Sequence, residues 1–140
     1  MSGGTSATRP ALVNAMPDTS PLKVLVVEDE SLVALDIENM LEEMGCKVVA
    51  SVPRLVRALD LASRLDFDLA VLDINLAGEV VYPLAFRLAA RGIPFVFSTG
   101  YSTATLPPEL SDRPILKKPV MLANLKRAVT MARTGIRSVN

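Results

Sequence analysis

Four stretches of this 140-residue chain carry side chains able to act on one another. Asp73 ends the apolar run Leu69-Ala70-Val71-Leu72, and a second apolar run, Val24 to Val27, opens onto Glu28-Asp29-Glu30. Carboxylates delivered by two strand ends make a site for a hard cation. Mg²⁺ suits it, because that ion takes oxygen ligands in a near-octahedral arrangement and keeps several waters. Asp29 and Asp73 are the expected direct ligands, Glu28 a weaker or water-mediated one, and the backbone carbonyl of Asn75 would complete the protein's share. Crowded carboxylates repel, and a divalent cation together with an ammonium offsets this. Lys118, which precedes Pro119, supplies the ammonium, and Thr99 adds a hydroxyl.

Taken singly, each group has a simpler explanation. Acidic residues after a strand often cap the next helix, as Ser31 also can, and an aspartate after a buried strand is a common turn residue. Lys-Pro pairs are common where a loop enters a helix. Together they are more specific, because an acidic pair, an aspartate, a hydroxyl and a lysine each follow a successive expected strand: the first, third, fourth and fifth.

Those strands are read from short apolar runs alternating with amphipathic stretches. A strand is expected over 23–27 and a helix over 31–44, where Val33, Ile37, Met40, Leu41 and Met44 form one apolar stripe that Gly45 ends. A second strand over 47–52 leads to a helix opened by Pro53 and running to Leu65. The third strand, 68–72, delivers Asp73. A helix from Tyr82-Pro83 to Arg91, a fourth strand over 93–98, a fifth over 114–116 and a last helix over 120–133 follow. Between Thr99 and Pro114 the alternation fails, since 101–112 holds scattered apolar residues and Pro107-Pro108, so a shortened or irregular fourth helix or a mobile loop is expected there.

This pattern predicts an α/β domain, a doubly wound five-stranded parallel sheet of order 2-1-3-4-5, with ligands beyond the carboxyl ends of strands one and three. Residues 1–20, without apolar periodicity, are expected to be a flexible tail, 21–134 the domain and 135–140 a short C-terminal tail. Half the residues are apolar but only 4% aromatic, so the core must be built mainly from aliphatic side chains.

Fifteen basic residues balance fifteen acidic ones, which favours neither nucleic acid nor anionic lipid as a partner. Lys126, Arg127, Arg133 and Arg137 make the last helix basic and are read as complementing its dipole. One cysteine, Cys46, excludes an intramolecular disulfide, and no apolar run is long enough to span a bilayer. A cytoplasmic location is the expectation. Histidine is absent, so any histidine phosphodonor must be another protein.

The motifs Val24-Leu25-Val26-Val27-Glu28-Asp29-Glu30, Leu72-Asp73-Ile74-Asn75-Leu76, Ser98-Thr99-Gly100 and Lys117-Lys118-Pro119 resemble the receiver domain of two-component response regulators, over about Leu22 to Arg133. The stretch ending Phe97-Ser98-Thr99-Gly100-Tyr101 is similar to the subgroup with Phe-Ala-Thr-Gly-Tyr, serine replacing alanine. The resemblance implies that Asp73 accepts a phosphoryl group from a sensor histidine kinase or a histidine phosphotransfer protein. It further implies that Mg²⁺ bridges Asp73 to that group, that Lys118 and Thr99 hold its oxygens, and that a cis bond joins Lys118 to Pro119. The output would be contact with a downstream protein, or relay or storage of phosphate, from a stand-alone, non-enzymatic domain. Where the family usually has an aromatic switch residue, three positions before the lysine, this chain has Ile115, and Tyr101 is the candidate to act with Thr99 instead. Two other readings are a Mg²⁺-dependent phosphohydrolase of the haloacid-dehalogenase type, which would want an aspartate where Asn75 stands, and a receiver-like interaction module that is never phosphorylated.

Overall fold

The computed structural model describes residues 20–100 and 105–135. In chain order these form β1 (Lys23–Val27), α1 (Ser31–Glu43), β2 (Lys47–Val52), α2 (Leu55–Arg64), β3 (Leu69–Asp73), β4 (Asn75–Leu76), β5 (Glu79–Val80), α3 (Tyr82–Ala90), β6 (Phe95–Thr99), β7 (Ile115–Lys117) and α4 (Leu122–Thr134), with a single 3-10 turn at Pro108–Leu110. Five strands pair in the order β2-β1-β3-β6-β7, all parallel, which is the 2-1-3-4-5 order expected once the short β4–β5 ribbon is set aside.

Alternation along the strands builds two cores. Leu25, Val27, Ala70, Leu72, Phe95 and Phe97 face α2 and α3, whereas Val24, Val26, Leu69, Val71, Val96 and Leu116 face α1 and α4. Covering both faces is why β1, β3 and β6 read as unbroken apolar runs rather than as alternating ones. The first helix sends Ile37 and Leu41 into the second core and also buries Ala34, while Leu32 and Leu35 stay exposed. It ends at Met44, and Gly45 follows with φ +86°, a conformation open to glycine at little cost. Cys46, partly buried, packs against the same core.

Two helices start later than expected. Pro53 lies ahead of α2 rather than in its first turn, because Arg54 is still extended and the helix begins at Leu55. The last helix starts at Leu122, not 120, since Val120 is used as a buried core residue. Over 105–112 the shortened, irregular fourth helix that was expected takes the form of the 3-10 turn Pro108–Leu110, held by specific contacts. Leu110 is 0% exposed, the Tyr82 hydroxyl donates to the Thr105 carbonyl at 3.2 Å, and the Arg113 guanidinium lies 4.6 Å from the centre of the Phe95 ring. One well-buried leucine anchors a turn too short to be recognised by periodicity.

The β4–β5 ribbon was not foreseen. Its central residues, Ala77 and Gly78, both have positive φ, +55° and +94°, as in the tight turns that suit hairpin twist. Two-residue strands are too short to show an alternation, so only the Ala77-Gly78 pair marks the turn in the sequence. Among the described residues, no helix is long and apolar enough to cross a membrane.

Candidate functional site

The chain leaves β1 toward β2 on one side of the sheet, while β3 lies on the other, which opens a crevice at the carboxyl ends of β1 and β3. Val27 is in register with Leu72, so Glu28 arrives beside Asp73, and Asp73 is in turn in register with Ser98. Glu28 is 2% exposed, Asp73 3% and Thr99 3%, so three polar side chains are buried at one end of an aliphatic sheet. They demand partners.

Lys118 is the partner of the two acids. Its Nζ lies 2.9 Å from Glu28 Oε1, 3.1 Å from Asp73 Oδ2 and 3.4 Å from Glu30 Oε1. The Lys118 backbone N–H donates to the Thr99 carbonyl at 2.9 Å, which extends the β6–β7 pairing by one residue and aims the side chain back over the sheet. Lys117 has none of these contacts and lies exposed, as strand alternation requires. The Lys118-Pro119 bond is cis.

Helix capping, the simpler explanation for the acidic triplet, is not what the structure shows. Glu30 occupies the capping position of α1 without a side-chain cap bond, while Glu28 Oε2 accepts from the Glu30 N–H at 3.0 Å. Asp73 does take part in a turn, since its Oδ1 accepts from the Asn75 N–H at 3.2 Å. That bond fixes one carboxylate oxygen and leaves Oδ2 toward Lys118.

A cleft of about 340 Å³ covers this end of the sheet. Asp29, Asp73, Asn75, Thr99 and Lys118 line it, five of the residues singled out in the sequence, while Glu28 lies beneath. Glu30, Ala77, Gly78 and Gly100 line it as well. Glu30 was visible in the acidic triplet but was given no part in the site. Tyr101 lies outside the described residues.

One carboxylate oxygen from each of Glu28, Asp29 and Asp73 can be chosen so that all lie within 4.8 Å of one another. Glu28 Oε1, although close to Lys118, has no aligned hydrogen bond, so a buried anionic lone pair there is left for a cation. Three hard oxygen donors facing a single ammonium fit Mg²⁺.

The electrostatics agree. The Asp73 carboxyl is pushed up to about 7, with burial as the main cause; the Lys118 hydrogen bond opposes the shift and the Glu28 charge adds to it. Burial alone would lower the Lys118 ammonium, but its hydrogen bonds and charge interactions with Glu28 and Asp73 outweigh that and raise it. An unfolded aspartate titrates near 3.8 and this one near 7, so between those values the native state holds a proton that the unfolded chain has lost. In metal-free buffer this group therefore adds stability that is fully present below about pH 4 and is lost as pH rises through about 7, a loss of at most a few kcal/mol. Urea unfolding in chelator at several pH values should show that downward slope for the native chain and a flatter profile for Asp73→Asn. Equal slopes would remove Asp73 as its source.

Residues 24–130 match the response regulator receiver domain family. The chain is 28% identical over 123 residues to the transcriptional regulatory protein PdtaR of Mycobacterium tuberculosis, covering 85% of this chain and 60% of that one. It is 39% identical over 64 residues to the nitrate/nitrite response regulator protein NarP of Escherichia coli, covering 45% and 30%. It therefore spans less than two thirds of the length of both of these relatives. The solution structure of SdrG from Sphingomonas melonis superposes with a TM-score of 0.72 at 38% identity, covering 79% of this chain and 95% of SdrG. With a family match that runs from residue 24 to residue 130, this chain belongs to the receiver domain family of response regulators.

Proposed function

We propose that residues 21–134 act as a phosphoryl-accepting receiver unit in which Asp73 is the nucleophile. The observation that carries this reading is the contact of Asp73 Oδ2 with Lys118 Nζ at 3.1 Å, on the floor of a cleft that Thr99 and Asp29 also line. In the transfer, an Asp73 oxygen forms a bond to phosphorus while the bond from phosphorus to the donor breaks, and the electron pair of that bond leaves with the donor. The product is an aspartyl phosphate.

The residues divide the work. Asn75 N–H holds Oδ1 and so fixes the plane of the attacking carboxylate. Lys118 already sits on Oδ2, placed to take up charge on the arriving phosphoryl oxygens, and the hydroxyl of Thr99, a residue that lines the cleft, would donate to another. Asp29, Asp73 and Glu28, with the Asn75 carbonyl, would hold Mg²⁺, which when bound supplies charge neutralisation for the acidic cluster and the phosphoryl oxygens. The haloacid-dehalogenase reading has less support, because Asn75 engages its side chain with the Gly78 N–H at 2.8 Å and offers no acid group.

The chain has no histidine, so a donor of the histidine kinase or phosphotransfer class would be a separate partner, and output would pass to a further protein by contact. Incubation with Mg²⁺ and acetyl phosphate, followed by intact-mass measurement, should show a gain of one phosphoryl group; no gain under conditions that saturate a receiver would overturn the reading. Replacing Asp29 by Asn should weaken Mg²⁺ binding about tenfold or more, since it removes a charged ligand from a hard ion. A titration indistinguishable from the native one would move the metal elsewhere.

A further inference from the structure

One polar group at this end of the sheet has no part in the site so far. Ser98 is 0% exposed and its Oγ has no hydrogen-bond partner among the described residues. Its orientation follows from the strand pairing. Val71 and Val96 are partners and both face α1 and α4, whereas the next pair, Leu72 and Phe97, faces α2 and α3. The pair after that, Asp73 and Ser98, turns back to the first face. On its other side Ser98 is in register with Leu116, which faces the same way and lies two residues before Lys118. The hydroxyl is thus enclosed between the strand that ends in Asp73 and the strand that leads to Lys118.

We propose that Ser98 is a second hydroxyl of the phosphoryl site, a positioning residue that donates to the Asp73 carboxylate as it re-forms when the phosphoryl group leaves. The inference rests on the reading of Asp73 as phosphoacceptor. Aligned neighbours on adjacent strands stand about 4.8 Å apart, a gap that a serine hydroxyl and an aspartate carboxylate can close by rotation of χ1. In the resting chain Oδ1 is held by Asn75 N–H and Oδ2 by Lys118, so Asp73 does not need the serine. Phosphorylation changes that balance. A phosphoryl group on Asp73 carries charge that draws the ammonium toward its own oxygens, which leaves a carboxyl oxygen short of a donor.

In hydrolysis, a water oxygen bonds to phosphorus, the phosphorus–Asp73 oxygen bond breaks with its electron pair staying on the carboxylate, and the water's proton passes to solvent. Inorganic phosphate and the Asp73 carboxylate are the products. Negative charge therefore grows on Asp73 in the transition state, and a hydroxyl already buried beside it stabilises that charge without reorganising solvent. Ser98 would accordingly shorten the life of the aspartyl phosphate. Thr99, which lines the cleft, addresses the phosphoryl oxygens; Ser98, fully buried, addresses the leaving carboxylate.

The test is decay of the phosphorylated protein. Native chain, Ser98→Ala and Ser98→Cys are each loaded with acetyl phosphate in Mg²⁺, freed of donor, and followed by intact mass. Loss of one neutral hydrogen bond should lengthen the lifetime about fivefold in Ser98→Ala. The cysteine variant, a weaker donor of similar size, should fall between. Thermal unfolding of the unphosphorylated proteins separates this from a structural effect: Ser98→Ala should be no less stable than native, because it removes a buried hydroxyl without a partner. An equal or shorter lifetime in a stable Ser98→Ala overturns the role of Ser98 alone. A native chain that never gains the phosphoryl mass overturns the reading of Asp73, and this inference with it.

Discussion

Replacing Asp73 by alanine is expected to abolish the mass gain produced by acetyl phosphate and Mg²⁺, not merely to slow it. The reason is geometric. Of the carboxylates in the cluster, Glu28 is buried beneath the cleft and paired with Lys118, and Asp29 is the proposed metal ligand. Only Asp73 combines an oxygen fixed by a backbone N–H with a second oxygen facing the ammonium that must meet the phosphoryl group. Moving the attack to another carboxylate would misplace the nucleophile by more than the about 1 Å that already costs a hundredfold in rate. Intact mass after long incubation decides the matter, and a variant that reaches the native level of phosphorylation would sink the assignment.

The second large effect concerns Lys118. Its side chain is 15% exposed and neutralises two acids that are more buried still. Lys118→Ala removes the shared counter-ion and strands both carboxyls in an aliphatic setting, which costs roughly 3–5 kcal/mol when a buried pair loses one partner. Asp73 softens the loss by taking a proton, and it does so more readily at low pH because its carboxyl already titrates near 7. The destabilisation should therefore be larger at about pH 8 than at about pH 6, and added Mg²⁺ should recover part of it. Lys117→Ala, at an exposed position of the edge strand, should change stability by less than about 0.5 kcal/mol. Urea denaturation of the two variants, each with and without Mg²⁺, makes the comparison; similar losses for both would show that the ammonium at 118 does not hold the site together.

Much of this arrangement could be read before any coordinates. Buried parallel strands must be apolar on both faces, so β1, β3 and β6 stood out as unbroken runs, and Gly45 marked the end of the first helix. Glu28, Asp29, Asp73, Thr99 and Lys118 were recoverable because each follows such a run, and strand order then brings those ends together. What escaped notice has a common physical cause. The β4–β5 ribbon and the turn at Pro108–Leu110 are only two or three residues per element, shorter than one period of the pattern used to find them. Leu110 shows the consequence: a single buried side chain fixes its segment, and one leucine between prolines and acids carries no periodic signal. The beginnings of α2 and α4 were missed because the residues after Pro53 and Pro119 are still extended or turned into the core, and a proline alone does not tell which. Ser98 was noted only as a departure from a motif. Its orientation becomes apparent once the register with Asp73 is known.

The ribbon that follows Asp73 also decides who can reach it. Both residues at its bend take positive φ, a backbone shape that discourages branched and bulky side chains, and the pair here is alanine and glycine. That bend forms part of the rim of the cleft. A Cβ at Gly78 would meet no atom within 4 Å, so the small residue is there for the handedness of the turn and not for lack of room. That side of the cleft is thus kept low by the geometry of a hairpin, and a bulky side chain at either bend position would meet a backbone that disfavours it before it could raise the wall.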